Sequence, residues 1–253
     1  MGEHLDSPEP AQDRSRDLPL GEACFCVLDL ETTGFSARDD RVVEVAGAYV
    51  SLDHGITRHL GRLVNPQRAI PADATAIHGL RDEDVADAGT LDSALDALKG
   101  HPFDVWAAHN AAFDFGFVPA GDIPLICTMV LARRLWPELP EHKNQSLRAH
   151  WHLEVPEAEG LPAHRAEPDA LVTAALLRLE LKVVRERYPG LESIGQFLDW
   201  MNTPVLIPLC VVGRKHRGKP WSEVPKRDLQ WYLDHFEDLD GDLLATLRHH
   251  LAH

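Results

Sequence analysis

Cysteine is scarce in this 253-residue chain, and cationic side chains are outnumbered. The four cysteines, Cys24, Cys26, Cys127 and Cys210, include no CxxC pair, so neither a disulfide framework nor a thiolate zinc site can be read. Cys24 and Cys26 fall two apart in an apolar run and share one face of a strand, as buried free thiols of a reducing, cytoplasmic protein. No stretch approaches the roughly 20 apolar residues of a membrane-crossing helix, so no membrane partner is expected. The opening segment, MGEHLDSPEPAQDRSRDLPLGE, is acidic and proline-bearing and lacks the apolar core of a secretory signal. Residues 1–20 are expected to be a disordered tail. Lys and Arg number 25 against 40 Asp and Glu, a net charge of −15. That balance argues against a general nucleic-acid coat protein, which needs positive charge against phosphates. It leaves room for an enzyme that holds metal ions with carboxylates.

The apolar patterning that is present predicts alternating strands and helices. Strands are expected over Ala23–Leu30, Arg41–Leu52 and Thr57–Val64, the last two joined by the turn DHG. Further strands are expected at Val105–Ala108 and Ile123–Cys127, with helices over Pro71–Ile77, Thr90–Lys99, Thr128–Trp136 and Glu167–Arg187. Pro156–Ala163 reads as a loop. Tyr188-Pro189-Gly190 is a strong helix stop, and a domain boundary is expected there, giving domains at 21–189 and 190–253. The second should hold a helix over Leu191–Met201, a strand–turn–strand around VVGRKHRGKPWSEV and two closing helices. The expected fold class is α/β, a mixed sheet flanked by helices, with a small C-terminal α+β module.

Acidic residues end apolar runs in three separate places. Asp29 and Glu31 are two apart in an extended segment and point to one side. Asp114 follows the strand VWAA in HNAAFD, and Asp169 opens the long helix in HRAEPDA. Carboxylates converging from three elements repel one another unless cations neutralise them. Hard oxygen ligands suit Mg²⁺ or Mn²⁺. Two such ions about 3.5–4 Å apart are a known solution for phosphodiester hydrolysis. His164, five residues before Asp169, can take the proton from an attacking water.

In this order, DLETTG (Asp29 to Gly34), IHGL (Ile77 to Leu80), HNAAFD and HRAEPDA resemble the motifs of the DEDD exonuclease superfamily, in its histidine subgroup. Arg165 stands where the tyrosine subgroup places its tyrosine. ICTMVLARRLWP and GRKHRGKPWSEVPKRDLQWYL resemble segments of a bacterial DNA-degrading branch of that superfamily. The resemblance implies a ribonuclease H-like fold and 3′→5′ hydrolysis of DNA, from single-stranded or duplex 3′ ends, to 5′-mononucleotides. It implies two Mg²⁺ ions, for which Mn²⁺ can substitute, held by Asp29, Glu31, Asp114 and Asp169, with His164 as general base. It further implies that Thr32 and Thr33 meet the terminal 3′-OH through their backbone, and that Ile77 and His78 form the last base's pocket. The rivals are an RNA 3′-end trimmer such as ribonuclease T or oligoribonuclease, and an inactive end-binding module.

Further substrate contacts are expected outside the motifs. Phe35, directly after Gly34, can stack on a terminal base or wedge a duplex end. Arg133, Arg134 and Trp136 are candidates to face the strand. Arg214, Lys215, Arg217 and Lys219 crowd one turn, with His216, next to Trp221, where cations can grip phosphates and the indole can stack.

Overall fold

Alternation along the first strand sets the layout. In the computed structural model, which describes residues 16–161, 165–236 and 239–253, strand β1 spans Phe25–Thr32. Phe25 and Val27 join one buried cluster while Cys26, Leu28 and Leu30 join another on the opposite face. β2 (Val42–Ser51) and β3 (Gly55–Leu63) extend the sheet antiparallel, and β4 (Val105–Ala108) and β5 (Leu125–Cys127) extend it parallel on the other side. The order of the five-stranded sheet is β3-β2-β1-β4-β5.

Helices cover both faces. They are α1 (Ala72–His78), α2 (Asp82–Val85), α3 (Leu91–Lys99), α4 (Ala111–Phe117), α5 (Thr128–Leu135), α6 (Asn144–His150), α7 (Ala166–Arg187), α8 (Ile194–Asn202), α9 (Lys226–His235) and α10 (Gly241–Ala252). The 22-residue α7 lies across β1, β2 and β3. Its Ala170, Leu171, Ala174, Leu177 and Leu181 share a cluster with Phe25 and Val27. α3 packs the opposite face. A Cβ at Gly47 of β2 would sit 2.4 Å from Leu98 Cδ2, so glycine is what lets α3 approach. β2 is buried throughout because it is covered on both faces and paired on both edges. Among the described residues, no helix is long and apolar enough to cross a membrane.

Several expectations are corrected here. The tail does not extend to residue 20. Residues 1–15 lie outside the described residues, but Leu20 is buried, its N–H donates to the Glu192 carbonyl at 2.8 Å, and Pro19 bridges Ser193. The boundary expected at 189/190 cuts through a continuous core, because Ile194, Phe197 and Leu198 of α8 pack with α7. A separate cluster begins at Ile207, with Trp221, Leu229, Tyr232, Leu243 and Leu247. The expected hairpin is reduced to a single bridge, Leu209–Pro220, since proline at 208 and 220 supplies no ladder donors. The short helices α2 and α6 lie in stretches read without regular structure.

Arg133, Arg134 and Trp136 are taken up by contacts within the fold rather than standing free for substrate. Trp136 is buried in the main core. Arg134 donates from Nε and Nη2 to both Asp242 oxygens, each at 2.7 Å, and from Nη1 to the Trp200 carbonyl at 2.6 Å. Arg133 pairs with Asp240. The two arginines therefore tie α5 to α10 across the domain junction. The Arg134 and Asp242 side chains are only 4% and 1% exposed, and removing one partner of such a pair costs about 3–5 kcal/mol. Asp242→Ala should lower stability by about that amount in denaturant titration and open the junction to limited proteolysis. An unchanged midpoint and digestion pattern would contradict this account of the junction.

Candidate active site

The strand alternation that puts Phe25 and Val27 under α7 puts Asp29 and Glu31 on the same face, at the strand's end. There the first turn of α7 brings Asp169. One carboxylate oxygen from each of Asp29, Glu31 and Asp169 lies within 4.8 Å of the other two. Asp114 comes from a separate helix. Asn110 adopts a left-handed conformation (φ 66°) that ends β4 and starts α4, and Asp114 on that helix receives the Leu30 N–H while its charge acts on Asp29. Asparagine tolerates this conformation better than most residues. His109, also in HNAAFD, is structural. Its nitrogens bond Thr128 Oγ1 and the His142 carbonyl, each at 2.8 Å, and burial lowers its pKa to about 4, so it is neutral at ordinary pH.

The carboxylates are held against their own electrostatics. Burial raises the Glu31 pKa to about 8, and the charges of Asp169 and Glu44 add to the rise. Burial pushes Asp114 up to about 7. Asp29 lies well above the usual carboxylate range, first from burial and then from Asp114, Asp169 and Glu31. A cation at this point reverses both causes at once. The all-oxygen donor set fits a hard divalent ion.

Three supporting residues escaped sequence reasoning. Glu44 on β2 stands opposite Glu31, buried, and accepts a two-pronged bond from Arg165 Nε (2.7 Å) and Nη2 (2.6 Å) as well as the Ala166 N–H. A lone carboxylate inside the apolar run VVEVAGAYV signalled that a buried partner must exist. Gln145 Nε2 donates to Asp169 Oδ1 at 2.8 Å, and Asn144 Nδ2 donates to Thr173 Oγ1 at 2.7 Å and to the Asp169 carbonyl at 3.4 Å. His164 lies outside the described residues, and Arg165 beside it is fixed by Glu44.

The expected substrate residues divide. Thr32 and Thr33 lie at the rim, their side chains occupied within the loop: Thr32 Oγ1 donates to the Gly34 carbonyl (2.6 Å) and Thr33 Oγ1 to Asp40 Oδ1 (3.1 Å). Ile77, 55% exposed, and buried His78 line a cavity of about 500 Å³ with Leu63, Leu80, Asp84 and Arg165. His78 Nδ1 accepts the Leu80 N–H, and burial holds its pKa below the ordinary value. Phe35 is 83% exposed, with Phe113 at 6.3 Å between ring centres. In the basic turn, Arg214, Arg217 and Lys219 are exposed. Lys215 and His216 instead pair with Asp228 at 2.8 and 2.7 Å. Trp221, 1% exposed, is core of the C-terminal module and cannot stack on a base.

A family model described as Exonuclease (RNase_T) matches residues 26–177, a span that contains all four carboxylates. The chain belongs to this exonuclease family, and the resemblance drawn from its motifs is borne out. Exodeoxyribonuclease 10 of Escherichia coli strain K12 is 34% identical over 89% of this chain and 97% of its own. A DNA polymerase III PolC-type protein of Streptococcus pyogenes is 30% identical over 71% of this chain but only 12% of its own length. A solved structure described as Exonuclease X in complex with 5′ overhanging duplex DNA aligns at TM-score 0.60 and 33% identity, covering 70% of this chain and 99% of that one. Exonuclease I of E. coli, solved with a dT13 oligonucleotide, shares the fold at 16% identity and TM-score 0.54. The ribonuclease H-like mixed α/β architecture is confirmed.

The raised Glu31 pKa makes a test of the metal-free cluster. The penalty on the ionised, folded carboxylate is absent below its unfolded value of 4.5, grows as pH rises and is complete above about 8. In EDTA, the Tm of Glu31→Gln minus that of the native chain should therefore increase steadily between about pH 5 and 8. A difference that stays flat across that range would contradict the electrostatic account.

Proposed function

We propose that the chain is a Mg²⁺-dependent 3′→5′ exodeoxyribonuclease, with Mn²⁺ able to substitute, that releases 5′-mononucleotides from DNA in repair or turnover. The convergence of Asp29, Glu31 and Asp169, with Asp114 acting on Asp29, is the observation that carries this reading. The relative matched over 89% of the chain is an exodeoxyribonuclease, which favours DNA over the RNA-trimming alternative. An inactive end-binding module would have no reason to keep four mutually repelling carboxylates. The unpaired cysteines suit a reducing compartment such as the cytoplasm.

Asp29, Glu31 and Asp169 would hold one divalent ion, with Asp29 shared toward a second near Asp114. When bound, such ions supply an activated water and neutralise charge at the scissile phosphate. The chain's own residues do the rest. His164 accepts the proton of the attacking water. Arg165, held by Glu44, fixes the chain next to that base, and Gln145 orients Asp169. The backbone of Thr32 and Thr33 meets the terminal 3′-OH, and Ile77 and His78 receive the last base. Phe35, projecting beside the site, stacks on or wedges the terminal pair, and Arg214, Lys215, Arg217 and Lys219 draw in phosphates.

End-labelled single-stranded DNA, duplex DNA and RNA provide the test. The DNA should shorten stepwise from the 3′ end with Mg²⁺ and stay intact in EDTA. Asp29→Asn should abolish turnover, and His164→Ala should lose about 10²–10⁴-fold in rate while still binding DNA. Native activity should fall below pH about 6.5, where the base becomes protonated, and His164→Ala should lack that histidine-dependent limb. Turnover persisting in Asp29→Asn, or preferential digestion of RNA, would overturn the assignment. Phe35→Ala should slow digestion of duplex ends more than digestion of single-stranded ends, relative to the native chain. Equal effects on both would remove the wedge role.

A further inference from the structure

A second cleft, of about 900 Å³, separates α4, α5 and the segment before α6 from the C-terminal module. It shares no lining residue with the cavity at His78. Met129, Val130, Val212 and Leu243 give it an apolar floor, and the exposed Lys143 and Arg217 give it a cationic rim in a chain of net charge −15. Lys143 meets Glu141 at 2.9 Å. A surface pair of this kind contributes about 0–1 kcal/mol and yields readily to a phosphate. Two buried polar atoms on lining residues, His142 Nδ1 and Asn144 Oδ1, have no hydrogen-bond partner, and His142 is only 4% exposed. His235 also lines the cleft, and the half-exposed Trp231 stacks on its ring at 4.6 Å and 16°. Two lining residues connect the cleft to the acidic cluster. Asn110 starts the helix that carries Asp114, and Asn144 bonds the Asp169 carbonyl.

We propose that this cleft holds the substrate strand on the 5′ side of the scissile end, with phosphates on Lys143 and Arg217 and a base against the Trp231–His235 pair. The proposal rests on the exonuclease assignment and adds a second, non-catalytic strand site to it. A single strand presents anions and flat apolar faces in alternation. A groove with cations at its rim and an apolar floor, flanked by an exposed indole that stacks on the lining His235, complements both.

Fluorescence anisotropy with labelled dT20 and dT4 tests this, using full-length protein loaded with Ca²⁺ to slow turnover. The native chain should bind dT20 more tightly than dT4. Lys143→Ala combined with Arg217→Ala should weaken dT20 binding and reduce the slope of log K against log salt by about 1.4, two phosphate contacts at roughly 0.7 each. Trp231→Ala should weaken dT20 binding by at least about fivefold, and all three changes should cost dT20 more than dT4. These side chains are on the surface, so circular dichroism should confirm a native fold. A native chain that binds and digests dT20, with variants equal to it in Kd and salt slope, would overturn the cleft site alone. A native chain that neither binds nor digests dT20 would overturn the exonuclease assignment, and the cleft site with it.

Discussion

Three carboxylates crowd within 4.8 Å at the end of β1, with a fourth, Asp114, pressing on Asp29 from α4. Like charges brought together and stripped of water oppose folding. The rest of the architecture can be understood by asking what holds them there. The buried sheet fixes Asp29 and Glu31 by strand alternation, and the apolar face of α7 anchors the helix whose first turn presents Asp169. The price is recovered only when a cation binds, which is why the same cluster that burdens the metal-free fold is suited to metal-dependent chemistry.

Neutral and paired groups steady the charged ones. Glu44 lies opposite Glu31 and would add to the repulsion, but Arg165 takes up its charge with two short bonds. The same arginine adjoins His164 and contributes to the wall of the Ile77–His78 cavity. One ion pair therefore links β2, the loop before α7 and the proposed base pocket. On the far side, His109 stays neutral and ties the Asp114 motif to α5 and to the loop before α6. The second cleft opens along this same seam, where Arg133 and Arg134 also bind the C-terminal module.

The sequence was most informative where the signal was local. The period-two spacing of Asp29 and Glu31 and the acidic first turn of α7 needed only neighbouring residues to interpret, and the strand at Val105–Ala108 appeared with its limits unchanged. What was missed depends on partners distant in the chain. Arg133 and Arg134 look available to a substrate strand until Asp240 and Asp242, more than a hundred residues later, arrive beside them. Leu18 and Leu20 look like tail until α8 supplies a surface and a backbone partner. Trp221 beside a basic turn resembles a stacking platform, but a small module with few apolar residues needs it as core. Glu44 was legible in principle, as an unexplained acid in a buried strand, although its partner was not.

The claim on which everything turns is that this acidic cluster is a paired-ion site. Electron paramagnetic resonance of the protein titrated with Mn²⁺ in the presence of a 5′-mononucleotide measures this directly. Two ions per chain with a spin-coupled signal are expected for the native chain, and loss of the coupled signal for Asp29→Asn. A single uncoupled ion, or a coupled pair that survives Asp29→Asn, would contradict the account.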